Sequence, residues 1–401
     1  MIEQTSSPST GAPERVVGPV AALVVATVSI ALAALPVFLL GALAVFIRAE
    51  LGFGEAALGV SASLYYLTSA LSSVPGGRLT TRVGVRNSIA LAAVGSTVAL
   101  FGVAVLGRSW LVLTGFMMVA GAVNGVALPA SNVALARRVP ARHQGVSFGL
   151  KQSAGPIATL LAGASVPALG ATVGWRWAFV LAGLIALPLV FVGRGLGRRS
   201  GKATKARSGR LPTAALVALA VAAALAVVGG SSLAAFYVES AVASGRSPAV
   251  AGTLLAGGSV LGIGARIAWG WLSGVRHAWH VSMIVWMLVI GSLGFAALGR
   301  AGSVSSLAIA TVLVFGFGWA WPGIFNFAIV SRTPEAPAVA SGIVATGTYA
   351  GGTVGPVMFG ALVEWRSYEV AWLAVAGSML AAAVLMRTGG RMLERSRGHV
   401  R

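Results

Sequence analysis

The sequence predicts an all-α polytopic membrane protein, with twelve transmembrane helices arranged as two pseudo-symmetric six-helix bundles. Three observations lead there. Hydrophobic residues make up 57% of the 401 and charged residues only 9%, against roughly 25% charged in soluble domains. Twelve continuous apolar stretches fill the chain, each near the length of about 20 residues that a helix needs to cross the hydrocarbon core. Lys and Arg gather in every second gap between those stretches. Spanning β-strands would instead alternate apolar and polar residues, and only helices satisfy their own backbone in lipid without closing into a barrel.

Taken in order, residues 1–17 form a polar, Pro- and Ser-rich N-terminal tail. No basic segment leads into a short apolar core, so a cleavable signal is not expected. The first six spans are read at 18–47, 57–77, 88–106, 110–134, 146–170 and 177–193, and form an N-terminal bundle over 18–193. Span 2 leads into a basic loop, GGRLTTRVGVRN (Gly76–Asn87). On span 4, Asn124 and Ser131 stand seven apart, on one helix face, and Asn132 follows. Span 5 carries Lys151, Gln152 and Ser153, then Gly155-Pro156. Residues 194–211 hold seven cations and no acid and read as a linker lying over anionic headgroups.

The second six spans are read at 212–238, 248–273, 279–298, 304–330, 342–363 and 370–387, a C-terminal bundle over 212–387, with a tail at 388–401. Arg266 falls in span 8, and Trp319, Trp321, Pro322 and Asn326 in span 10. Span 11 holds Tyr349 and Gly355-Pro356. The pairs Gly229-Gly230, Gly257-Gly258 and Gly351-Gly352 read as packing and hinge positions, because no P-loop Lys-Ser/Thr follows them. Most of the eleven Trp are expected at the membrane interfaces.

Charge sets the orientation. One set of loops and tails carries 21 Lys and Arg, the other only Arg48, Arg108, Arg176, Arg246, Arg300 and Arg366. The first set is expected in the cytoplasm, with both termini inside, in a multi-pass protein of the plasma (inner) membrane. The net charge of +20 then follows from topology and contact with anionic lipid. A nucleic-acid partner is not expected, since no soluble domain gathers a basic face. There is no Cys, no Asp and nine Glu, so neither a disulfide framework nor a metal or other cofactor is expected. A monomer with a small-molecule partner is the expected state.

The halves echo each other. Gly77 and Leu79 correspond to Gly270 and Leu272, and Gly155-Pro156 to Gly355-Pro356. On these grounds the chain resembles the major facilitator superfamily over its whole length. The loop after span 2 resembles the family's signature G-x-L-A-D-R-x-G-R, with Gly77, Leu79, Arg82, Gly84 and Arg86 matching and Thr81 at the Asp position. The second copy, ARIAWGWLSGVR (Ala265–Arg276), keeps Arg266, Gly270 and Leu272 and has Gly274 at that position. The resemblance implies a secondary active or facilitative transporter working by alternating access. It also implies that spans 5 and 8 are neighbours across the bundles, that spans 1, 4, 7 and 10 line the cavity, and that the motif acts in gating.

Two cations lie inside spans, Lys151 and Arg266. Each costs about 2.5–3.5 kcal/mol at mid-helix on insertion scales, and each lies on the order of 10 Å deep. Like charges repel in low dielectric, and a bound anion would relieve them. The expected substrate is therefore a small organic anion, its carboxylate held by Lys151 as a point charge and Arg266 as a fork. Gln152, Asn124, Asn326 and Tyr349 are the expected polar contacts. The competing role for Arg266 is to bond backbone carbonyls. No Glu falls mid-span: Glu239 ends span 7 on the outer side, which leaves a carboxylate proton relay without support and the coupling ion open. The rival function is a proton-coupled exporter of lipophilic compounds. Such proteins carry G-x-x-x-G-P-x-x-G-G in span 5, where this chain has Lys151 at the first Gly and Thr159-Leu160 at the last two. A membrane enzyme acting on lipid is the remote third, disfavoured by four scattered His and no Asp or Cys.

Overall fold

Among the described residues, helical backbone follows the twelve apolar stretches, and the reasons for its breaks are local. The computed structural model describes residues 18–140, 147, 150–192, 212–275, 280–333 and 337–398, with no strand among them. The N-terminal tail, the basic linker, Arg142, His143, Gly145, Arg276, His277, Trp279, Glu335 and His399 lie outside the described residues. Span 1 runs Pro19–Ala42, breaks at Leu43 and resumes as Ala44–Leu51. Span 4 is Trp110–Arg138, with the Ser109 hydroxyl accepting from the Val112 N–H. Span 5 is Ala154–Ser165 followed by a π-helical turn, Val166–Gly170. Span 6 is Trp175–Ala186 and Leu189–Val192. Spans 7, 8 and 9 are Thr213–Ala243, Pro248–Val275 and His280–Gly299. Span 10 opens with a Ser303–Ser306 capping box. It runs Val304–Leu313, turns π-helical over Val314–Gly318 and resumes at Pro322–Arg332. Span 11 is Pro337–Trp365. Span 12 is Tyr368–Gly398, so residues 388–398 continue its helix into the expected tail.

One expectation is corrected. Gly76–Asn87 is not a loop: spans 2 and 3 form one helical run, Glu55–Leu106, broken only where Gly84 takes φ 84°, ψ 161°. That backbone is open to glycine and closed to residues with a Cβ. A single residue therefore does the work of a loop, and the arginines of the motif sit on helix.

The packing repeats between halves. Spans 1 and 5, 3 and 6, and 2 and 4 pack together, and so do their counterparts 7 and 11, 9 and 12, and 8 and 10. The halves meet along spans 2 and 11, 5 and 8, and 1 and 7. Large apolar side chains such as Leu71, Leu111, Ile267, Trp286 and Val384 remain exposed around the outside. In water such a belt would be a liability; in a bilayer it is the lipid-facing surface. Among tryptophans, Trp177, Trp271, Trp286 and Trp365 are exposed, whereas Trp175, Trp321 and Trp372 are buried. The tryptophans thus divide between lipid-facing and protein-facing positions, and Trp110, Trp175 and Trp269 donate indole hydrogen bonds to the Ala57 carbonyl, Glu50 and the Gly316 carbonyl.

The seam is tight on the side of Arg48, Arg108 and Arg176, called here the arginine-poor face. A Cβ at Gly41 would strike the Ala234 carbonyl, and one at Gly59 the Pro356 carbonyl. The Ser63 hydroxyl accepts from the Val357 N–H at 3.0 Å, and Glu364 accepts from the Ala56 N–H at 2.8 Å. Followed toward the arginine-rich side, the same face of span 11 reaches Thr346 and Gly342, both well exposed or without a neighbour. At these positions span 11 lacks the close backbone contacts it makes at Pro356 and Glu364.

Candidate functional site

The site begins with a missing hydrogen. In a continuous helix the Pro156 nitrogen would donate to the carbonyl of residue 152, but proline has no N–H. The helix accordingly breaks at Gln152–Ser153 and restarts at Ala154. The freed Gln152 carbonyl accepts from Nη1 of Arg266, which reaches it across the seam from span 8. Nη2 of Arg266 donates to the Trp319 carbonyl at 2.7 Å, where span 10 leaves its π-helical turn and cannot pair in register. One turn further along span 8, the Trp269 indole donates to the Gly316 carbonyl at 2.9 Å. The guanidinium also lies 5.1 Å from the centre of the Trp319 ring, a cation–π distance. Arg266 thus ties a broken span of one half to a broken span of the other. Both of these hydrogen-bond partners are neutral carbonyls, which is the competing role named from sequence.

Lys151 sits one residue before Gln152, 5% exposed, and its Nζ donates to Oδ1 of Asn132 on span 4. Sequence reasoning named Asn132 only as the residue after Ser131; the signal available was its position between two faces of span 4. The structure therefore brings the two membrane-buried cations to adjacent residues of span 5, one from each half. The chain has no acid between Glu55 and Glu239, so spans 3 to 6 bring no carboxylate to this region.

A polar wall lies on the other seam. Asn124 Nδ2 donates to the Ser69 hydroxyl at 2.7 Å, and the buried Tyr349 hydroxyl lies beside Ser69 and Ser73. Two of the expected contacts, Asn124 and Tyr349, are thus brought to the same serine of span 2. Asn326 is not gathered with them; it is exposed on the last segment of span 10. Gln152 enters through its carbonyl. The second Gly-Pro pair repeats the logic of the first: Gly355-Pro356 lies at the seam of spans 11 and 2, where the following N–H, that of Val357, is given to Ser63.

The motif residues lie apart from this site. Gly77 packs 3.8 Å from Pro129 as judged by an added Cβ. Arg82 is exposed and Arg86 half-buried, and Thr81, at the acid position, donates to the Arg78 carbonyl at 2.7 Å. Gly270 has open space around it. A cavity of about 560 Å³ lined by Glu50, Leu51, Ala104, Val105, Arg108 and Arg176 opens on the arginine-poor face, away from Lys151 and Arg266. At its rim, the hydrogen bond from Arg176 holds the Glu50 carboxyl below the ordinary glutamate range, with the Trp175 indole adding to it against partial desolvation.

The arginine-poor face is latched by a group that sequence reading placed merely at a span end. Nη1 of Arg48 pairs with Oε2 of Glu239 at 2.7 Å and Nη2 with Oε1 of Glu55 at 2.9 Å. The Tyr368 hydroxyl donates to the same Oε2 of Glu239 at 3.3 Å. Arg48 and Glu55 belong to the first half, Glu239 and Tyr368 to the second.

A family model for the Major Facilitator Superfamily matches residues 26–338. No curated protein matches the chain. Among solved structures, the chain is similar to a D-xylose-proton symporter at 17% identity, covering 92% of this chain and 97% of that one with a TM-score of 0.71. It is also similar to a bacterial homologue of the human lysosomal transporter Spinster. The inward-facing, unoccupied form of that protein gives 14% identity, coverage of 96% and 97%, and a TM-score of 0.69. Its inward-facing, occupied form gives 16%, 94% and 96%, and 0.69. At such identities the likeness is one of fold.

Proposed function

The chain belongs to the major facilitator superfamily, a family of membrane transporters, and from that premise we propose that it carries a small organic anion, its carboxylate bound beside Lys151, by alternating access between the two halves. The observation that carries this reading is the convergence of Lys151 and Arg266 on neighbouring residues of span 5. Lys151 is 5% exposed, and a cation taken out of water is costly to hold. A carboxylate entering from the arginine-rich side would neutralise part of that charge and take charge-assisted hydrogen bonds.

The roles differ. Lys151 keeps rotatable donors on a compact charge and is the direct contact. Arg266 holds its fork on two carbonyls and supplies positive potential while fixing the break in span 5. Asn124 and Tyr349, gathered on Ser69, form the polar wall that orients the rest of the substrate. The arginine-rich face is read as cytoplasmic from its 21 cations against six, and the exposure of Thr346 and Gly342 on that side supports entry of substrate from within.

Thermal melting of the purified protein tests the substrate class. The panel contains small carboxylates, a neutral pentose, because one structural neighbour is a D-xylose-proton symporter, and lipophilic cations. A ligand at 100 times its Kd adds about 2.7 kcal/mol to the native state, readily seen as a rise in Tm. Carboxylates should stabilise the wild type and lose that effect in Lys151→Gln. Stabilisation by lipophilic cations alone, equal in both proteins, would replace the anion reading with an exporter.

A further inference from the structure

We propose that Glu239 is a proton-binding site, and that a proton taken there from the arginine-poor side unlatches that face. The inference is independent of the substrate class. It starts from the way Arg48 is held between two acids, one from each half. Glu239 is 6% exposed. Its Oε2 takes both the Arg48 guanidinium and the Tyr368 hydroxyl, while its Oε1 is buried with no hydrogen-bond partner among the described residues. A buried carboxylate oxygen without a donor is a costly way to hold negative charge. The ion pair with Arg48 and the Tyr368 hydroxyl, both on Oε2, offset it.

Charge counting gives the switch. Closed, the cluster holds one cation and two carboxylates, an excess of one negative charge in a half-buried setting. A proton binding to the Glu239 carboxylate removes that excess and dissolves its ion pair with Arg48. Arg48 is not stranded, because Glu55 remains paired with it within the same half, and its Nε stays on the Phe53 carbonyl at 3.0 Å. The cost of separating the halves at this point therefore falls when Glu239 is neutral. Arg48 and Glu55 side chains are 18% and 25% exposed, so the cluster is reached from the arginine-poor solvent.

Among the other described charged and titratable groups near the cluster, Glu364 also bridges the halves. Span 12 contributes Tyr368. Span 11 contributes Glu364, which is turned to the Ala56 N–H. Arg300, after span 9, pairs with Glu369, and Arg246, before span 8, bonds the Gly302 carbonyl.

The absence of native cysteine makes the test direct. Spin labels on Thr172→Cys and Ser305→Cys, exposed on the arginine-poor face of opposite halves, report its opening without any substrate. The account expects longer distances in the wild type as pH falls, and long distances at every pH in Glu239→Gln. Glu55→Gln, which removes the counter-charge that Arg48 needs after release, should stay short throughout. The Glu369→Gln control should titrate like the wild type. Distances that ignore pH in the wild type, or a Glu239→Gln protein that still titrates, would overturn the proposal. So would a transition that follows sodium, exchanged for choline at fixed pH, and not protons.

Discussion

Arg266 donates to the carbonyl of Gln152, the one carbonyl in span 5 that Pro156 leaves without its helical partner. Proline breaks one helix so that an arginine of the other half can complete it. The cation is thereby placed on the residue that follows Lys151 in the chain, and the arrangement makes the Gly-Pro pair a device for joining halves as well as for bending a span.

The coupling between these two residues is measurable. Pro156→Ala restores an N–H for the Gln152 carbonyl, and Arg266→Met removes the donor that replaces it. In a double-mutant cycle on thermal stability the two should couple by about 0.5–3 kcal/mol, the range for residues sharing a hydrogen-bond network. Strict additivity would mean that the carbonyl is not shared.

A second prediction concerns Gly84. Its backbone at φ 84°, ψ 161° is one that alanine adopts only with strain, so Gly84→Ala should cost about 1–3 kcal/mol. Denaturation of the purified variants checks this, with Gly77→Ala as the comparison. Gly77 is helical, and its nearest atom would lie 3.8 Å from an added Cβ, so that change should be well tolerated.

Close packing of spans 2 and 11 yields a third. A Cβ at Gly59 would strike the backbone carbonyl of Pro356, which cannot swing aside as a side chain would. Gly59→Ala should destabilise the closed arginine-poor face by about 1–3 kcal/mol. The check is the pair of spin labels described above: at neutral pH the variant should show longer distances than the wild type.

The spans and both Gly-Pro pairs were legible because hydropathy and helix punctuation are local properties. The partners were not. Glu239 meets Arg48 from 191 residues away, and nothing in the neighbourhood of either residue announces the pairing. Trp321 and Trp271 look alike to a hydropathy scale, which measures removal from water and does not distinguish lipid from protein. One is buried and the other exposed. The loop expected at Gly76–Asn87 failed for a related reason: its arginines mark a membrane exit, yet a helix can leave the bilayer and turn on a single glycine. Lys151 and Arg266 stood out because charge inside a span is costly wherever it occurs, but Asn132 and the two carbonyls that hold them emerge only from the packed structure.

The rim pair of Glu50 and Arg176 gives a pH prediction with a definite sign. Arg176 holds the Glu50 carboxyl below its ordinary value. The pair therefore contributes stability above the ordinary glutamate range, and that contribution is lost as pH falls through the lowered folded value. Because Glu50 is half exposed, the effect is small. Melting curves should show Glu50→Gln slightly less stable than wild type at pH 7, with the two converging as the solution is made more acidic. A gap that widens on acidification would reverse the assignment.

The most direct test of the central claim is transport itself. Proteoliposomes preloaded with a stabilising carboxylate should exchange it for external labelled carboxylate. The loss of one charge-assisted hydrogen bond, about 1.5–3 kcal/mol, should slow Lys151→Gln by roughly tenfold or more at subsaturating substrate. Exchange that proceeds equally in wild type and Lys151→Gln would contradict an anion site at Lys151.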